Sequence, residues 1–362
     1  MPSASPSNAS RLLEPSLNWL LVLVPVSLLI HLALHQDLLT FLTAAGAIVP
    51  LAGIIGSATE QLSIHAGPRV GGLLNATFGN VTELIISLFL VLDGELEVVK
   101  ASLTGSIIGN LLLVLGASFL VGGLRHEEQA FDARAATVHA SSLVLAVIGL
   151  LMPALFVLTT GRHDVAQREV VSGVVGGVLI VLYASALLFT MVTHEHLFHA
   201  PAPDERAEWS VRTAVLVLAG ATALVAVESE LLVGSLEPAL KHLGLSKFFV
   251  GLILLPIIGN AAEHSSAVLF ATRDRLDVTL EIAIGSSTQI ALFVAPVVVF
   301  ASFATSHPMD FVFSTFEVAA VALSTVIVTI LCQDGRSNWL EGAQLLGAYL
   351  IMAISFFFVR TI

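Results

Sequence analysis

The chain has 362 residues, 56 % hydrophobic and 12 % charged, with a formal charge of −12 and a mean hydropathy of +0.94. A soluble domain carries about 25 % charged residues, so soluble globular structure is excluded. The acidic balance argues against a nucleic-acid partner and is compatible with handling cations.

Apolar runs of the roughly twenty residues that a ~30 Å hydrocarbon core demands recur along the whole chain. Alternating barrel segments are absent, so the expected fold is all-α, a polytopic protein of the lipid bilayer. Residues 1–16 are rich in Ser, Pro and Asn and are expected to be disordered. The run 17–35 exceeds a usual signal segment and lacks a small-x-small cleavage site, so it reads as a retained span 1. Spans 2 to 6 follow over 39–64, 71–92, 97–122, 134–158 and 169–193, inside a first unit 36–193. A short acidic and histidine-containing loop, 194–210, separates it from a second unit, 211–362. That unit holds spans 7 to 11 over 211–235, 248–271, 277–304, 310–332 and 338–360. Eleven transmembrane helices result.

Nine of the 15 Lys and Arg residues then fall on the side of the N-terminus, which places it in the cytoplasm and the C-terminus outside. The one cysteine, Cys332, sits in an apolar run, so no intramolecular disulfide forms.

Span 3 contains "LLNATFGNVTELIISLFLV" (73–91) and span 8 contains "LLPIIGNAAEHSSAVLFA" (254–271). A shift of 180 residues lays Gly79-Asn80 on Gly259-Asn260 and Glu83 on Glu263. The same register lays Leu96 on Leu276, Glu97 on Asp277, and Gly105-Ser106 on Gly285-Ser286. Without the extra span 1, each unit has five spans. An odd number sets the two units upside down to one another, as inverted repeats.

An ionised carboxylate at bilayer depth costs several kcal/mol (order of magnitude) unless paired, so Glu83 and Glu263 are candidate functional residues. Gly79 and Gly259 weaken their helices, and Pro256 removes a backbone N–H and frees a carbonyl. Broken helix is tolerated there only where it is buried in protein or lines a cavity. Unwound carbonyls, Asn80, Asn260 and two carboxylates make an all-oxygen set suited to a hard divalent cation, Ca2+ better than Mg2+. With the site empty, two adjacent desolvated carboxylates take up protons, so two H+ can replace one Ca2+ with charge conserved.

Thr82 adjoins the first glutamate. His264 follows the second and either relays protons or packs as a neutral side chain. Asn110 in "TGSIIGN" (104–110), and Ser286 and Gln289 in "IGSSTQI" (284–290), either orient a glutamate or bridge helices. Glu60, Glu228 and Glu230 are candidate access or gating acids, with an interfacial reading open for Glu60 and Glu228. His194, His196, His199 and Glu195 look like metal ligands, but no HExxH pair accompanies them, so a solvated loop is expected.

"GGLLNATFGNVTELIIS" (71–87) and "PIIGNAAEHSSAV" (256–268) resemble the two α-repeats of the calcium/proton antiporters, the cation/proton exchanger branch of the calcium/cation antiporter superfamily. "GSIIGNLLLVLG" (105–116) and "GSSTQIALFVAP" (285–296) are similar to the segments that follow them. The resemblance covers spans 1 to 11 and implies a secondary antiporter rather than an enzyme. It also implies ion binding between spans 3 and 8 and alternating access by sliding of a gating bundle. Glu83 and Glu263 would be the calcium and proton carboxylates, with Asn80 and Asn260 beside them, and Glu230 would match an acid on the cytosolic approach.

No cofactor is expected beyond the transported ions. A homo-oligomer is left open, as is exchange of Na+, K+ or Mn2+ for H+. An intramembrane enzyme or a passive channel is the reading from another class. Sodium coupling is disfavoured because the hydroxyl-rich repeats of sodium-coupled relatives are missing. The 194–210 loop departs from the longer acidic stretch of many members. The absence of a long hydrophilic N-terminal extension favours a prokaryotic plasma membrane over a vacuolar or other organellar one.

Overall fold

A computed structural model of the chain describes residues 18–160, 165–194 and 207–359. The expected disordered N-terminus and most of the histidine-containing loop, including Glu195, His196 and His199, lie outside the described residues. The described chain is almost wholly helical: α1 Trp19–Leu34, α2 Asp37–Ala66, α3 Val70–Leu92, α4 Leu96–Gly123, α5 Ala133–Thr159, α6 Val165–Thr193, α7 Val211–Gly234 and α8 Leu236–Leu243. There follow α9 Lys247–Gly259, α10 Ala261–Thr272, α11 Leu276–Ser302, α12 Thr315–Leu331 and α13 Trp339–Phe358.

Among the described residues eight helices are long and apolar enough to cross a membrane, and nine if α8 and α9, bent by 109°, count as one. α1 and α12 are shorter apolar helices. This is a multi-pass integral membrane protein. Boundaries follow local chemistry. α12 starts at 315 rather than 310 because Ser314 and Glu317 form a capping box there. α13 starts on a second box made by Asn338 and Glu341. The eight-residue α8 was not expected from the sequence, being too short and polar to register as a span.

α4 and α11 occupy the centre, each with 78 % of its most apolar stretch buried, whereas α6 has 11 % and turns its valines outward. Side chains of α4, α9, α11, α12 and α13 share one large apolar core. A second, separate cluster joins the Leu51–Leu62 part of α2 to Ala214, Leu218, Ala221 and Val225 of α7, with Leu21 and Val24 of α1 packed on it. Its outer boundary is Leu74, Phe78, Val81 and Ile85 of α3, the residues around the first break. The second half of α2 and the first part of α7, with α1 beside them, therefore share an interior of their own against α3, while Phe41–Ile48 of α2 and Leu231–Val233 of α7 enter the large core.

The connections gather at two ends. At one end Gln129–Ala130 pairs antiparallel with Arg336–Ser337. There the Gln129 amide donates to Ala271 O and to Asp274, and Arg336 pairs with Glu128. At the other end Lys100 and Arg168 both reach Asp310, and Lys247 reaches Glu95. The breaks and turns recur at the 180-residue spacing. Asn80 and Asn260 leave the helix with nearly the same dihedrals (φ −105°, ψ 23° and φ −102°, ψ 8°). The turns that follow pass through left-handed Gly94 (φ 77°) and Asp274 (φ 59°).

Candidate site at the two helix breaks

α3 is interrupted at Gly79-Asn80, and the α9–α10 pair at Gly259-Asn260. Each break sits one turn before a glutamate, so Glu83 and Glu263 lie in the first turn of the helix that resumes. The positive end of each helix therefore lies beside a carboxylate. The glycines face across the interface. A Cβ on Gly259 would come 3.2 Å from Glu83 Oε1, and one on Gly79 would come 3.4 Å from Glu263 Oε1. Each unit thus uses its own missing side chain to admit the other unit's carboxylate, which brings the two acids to one place.

Both Glu83 oxygens and Oε2 of Glu263 are buried without a hydrogen-bond partner, and so is Oδ1 of Asn260. Four buried acceptors without partners at the two breaks form an arrangement that a cation or protons would satisfy. Among the described residues no group of three or more His, Cys, Asp or Glu side chains could hold a metal. Any ion here therefore depends on two carboxylates completed by neutral oxygens.

The surrounding polar groups form a chain across the units. His264 Nε2 lies 3.1 Å from Asn110 Oδ1. Asn110 Nδ2 donates to Ser286 Oγ (3.2 Å), Ser286 Oγ donates to Asn80 Oδ1 (2.8 Å), and Asn80 Nδ2 donates to Gln289 Oε1 (2.7 Å). On the other side Asn260 Nδ2 donates to Ser106 Oγ (3.4 Å) and to Pro256 O (3.1 Å). Asn110 sits in a wide i→i+5 turn (Gly109–Val114), and Ser286–Gln289 is flanked by two more, which turn these polar groups out of the regular ladder. Asn80–Ser286 and Asn260–Ser106 are the same contact shifted by 180 residues. Ser106 was not singled out as a site residue from sequence, although its match to Ser286 carried that information.

The two asparagines nonetheless differ. Pro256 O can only accept, so the Asn260 amide nitrogen faces it and the side-chain oxygen points away, free. Asn80 has its oxygen and nitrogen both engaged. Asn260→Ala removes that free oxygen and is accordingly expected to weaken the proposed calcium binding about tenfold, ~1.4 kcal/mol, in addition to the stability lost with its amide contacts to Ser106 and Pro256 O. Asn80→Ala strands Ser286 and Gln289 and is expected to cost about 1–3 kcal/mol of stability. Calcium titration and thermal unfolding of both variants, with equal effects on each readout, would contradict this division.

The remaining candidates are placed as follows. Thr82 is buried beside Glu83, and Gln289 and His264 are half-buried. Asn110 and Gln289 bridge helices, and neither bonds to a glutamate. Glu60 and Glu230 are exposed on α2 and α7. Glu228 is wholly buried against α1, with Ser27 Oγ 2.8 Å from its Oε1.

The family model described as "Sodium/calcium exchanger protein" matches residues 37–192 and again 213–358. Among curated relatives, the Ca(2+)/H(+) antiporter of Aphanothece halophytica is 45 % identical over 355 residues, 94 % of this chain and 95 % of that protein. The vacuolar cation/proton exchanger 3 of Oryza sativa subsp. japonica is 41 % identical over 355 residues, 94 % of this chain and 85 % of the relative. The solved structure of native YfkE is 39 % identical and superposes with a TM-score of 0.83, covering 95 % of this chain and 99 % of that one. With the family model matching most of its length, the chain belongs to the sodium/calcium exchanger protein family.

Proposed function

We propose that this protein is a secondary transporter that exchanges Ca2+ for H+ across a membrane, with Glu83 and Glu263 holding the cation or protons in turn. The observation that carries the residue assignment is the set of buried, unpartnered carboxylate oxygens delivered to one place by the two helix breaks. The Ca(2+)/H(+) antiporter and cation/proton exchanger names of relatives at 41–45 % identity over nearly the whole chain support the activity.

Calcium takes six to eight oxygens and tolerates irregular geometry. The two carboxylates, Asn260 Oδ1 and backbone carbonyls at the unwound turns supply that kind of set. When calcium leaves, two carboxyl groups side by side in apolar surroundings take up protons, and the net charge of the loaded site is the same in both states. An ion of higher field strength, such as Mg2+, keeps its water and is disfavoured.

The architecture we infer has eleven membrane helices. α1 is the extra span, α2 to α6 form one inverted unit, and α7 to α13 form the other, with α9 and α10 together as one broken span. Support comes from the shared dihedrals at the two breaks, the repeated left-handed turns and a single family model matching twice. The separate cluster that joins α1, the second half of α2 and the first part of α7 supports movement of these segments against α3 as the alternating-access step. Glu60 and Glu230, exposed near opposite ends of α2 and α7, offer carboxylates at two separate approaches for cations. The lysine and arginine bias supports an N-terminus, and with it the Gln129–Ser337 ladder, on the cytoplasmic side of the membrane.

Proteoliposome uptake of calcium under an imposed pH gradient tests the activity. Uptake is expected to require the gradient and to collapse with a protonophore. Gradient-driven transport of a monovalent cation that calcium leaves unaffected would overturn the substrate.

A further inference from the structure

One buried acid takes no part in the exchange site. Glu228 is fully inaccessible at the contact of α7 with α1. Its Oε2 has no hydrogen-bond partner, and its Oε1 lies 2.8 Å from Ser27 Oγ. Ser27 Oγ is also 2.8 Å from Val24 O, one turn back in α1. A serine hydroxyl has one hydrogen, and a backbone carbonyl can only accept.

Two assignments are open to this trio. If the serine hydrogen goes to Glu228, the acid is a carboxylate with one neutral donor, sealed in an apolar seam. If it goes to Val24 O, the hydrogen between Ser27 and Glu228 must come from Glu228. The second assignment uses every hydrogen and leaves no buried charge, whereas an unpaired buried carboxylate costs several kcal/mol (order of magnitude). The titratable groups on the helices packed against α7 do not change this balance. α1 carries His31, α2 carries Asp37, Glu60 and His65, and α3 carries Glu83, and none makes a hydrogen bond or ion pair with Glu228. Lys241 on α8 pairs with its own Glu237.

We propose that Glu228 is a third proton-binding site, separate from the exchanging pair, which carries its proton while α1 is seated on α7 and donates it to Ser27 Oγ. The inference rests on the exchange reading only in setting Glu228 apart from Glu83 and Glu263. Separation of α1 from α7 would open the acid to water and release it, so seating of α1 and occupancy of this proton site are linked.

The test is infrared spectroscopy of the full-length protein in liposomes at neutral pH, in a Glu83→Gln/Glu263→Gln background that removes the central acids. A protonated carboxylic carbonyl band is expected, lost when Glu228→Gln is added. Ser27→Ala keeps the acid but removes its acceptor, and is expected to shift the same band in frequency. Loss of only an ionised carboxylate band in Glu228→Gln, or a carboxylic band indifferent to Ser27→Ala, would overturn the proposal. The readout is independent of transport, so a different exchanged cation would leave it standing.

Discussion

Glu83→Gln and Glu263→Gln are each expected to reduce gradient-driven calcium uptake by at least about 100-fold while leaving the protein folded. Loss of a group that merely supports a metal ligand costs about 10–100-fold, and here a ligand itself would lose its charge. The glutamine keeps the volume and offers one neutral oxygen, but it can neither carry a proton nor balance a divalent charge. Stability should hold. Both Glu83 oxygens and one Glu263 oxygen lack partners, so folding gains no hydrogen bond from them that glutamine would lose. Uptake at the unsubstituted level in either variant would remove the proposed mechanism, and a variant that fails to fold would contradict the claim that these acids serve exchange rather than structure.

Gly105→Leu is expected to be the most damaging change to the scaffold, lowering stability by about 3 kcal/mol or more. A Cβ at Gly105 would run into the backbone carbonyl of Leu252 and come 2.7 Å from Pro256 Cγ. Pro256 has no N–H to donate to Leu252 O, so the bare glycine of α4 approaches a carbonyl that the helix itself leaves exposed. The crossing lies one turn from Asn260, so widening it also displaces that side chain. Gly285, its repeat mate, has nothing within 4 Å of its Cβ position, and Gly285→Ala is expected to be near neutral. Chemical unfolding in detergent distinguishes the two, and equal sensitivity would contradict the packing described.

Much of this was legible in the sequence, for identifiable reasons. Hydropathy over twenty residues located the helices because lipid imposes one length on every span. The paired Gly-Asn-x-x-Glu stretches located both breaks because a glycine, an amide and a carboxylate together at bilayer depth have few structural uses. Other features depend on which helix lies against which, and sequence spacing is silent on that. Glu228 and Glu230 are two residues apart on α7, yet one is sealed under α1 and the other is exposed. Asn80 and Asn260 align perfectly in the repeat, but Gln289 has no counterpart in the first unit, where Gly109 stands. The asparagines therefore have different partners. α8 escaped notice because eight residues with a Lys, a His and a Glu resemble a loop.

The central claim is that the same two carboxylates hold either calcium or protons. Its most direct test is a count of protons released when calcium binds to the purified protein, in weakly buffered detergent solution with a pH indicator. The account predicts about two protons released per calcium bound, as metal ligands that must deprotonate require, with the release lost in the Glu83→Gln/Glu263→Gln protein. Calcium binding with no proton release would contradict it.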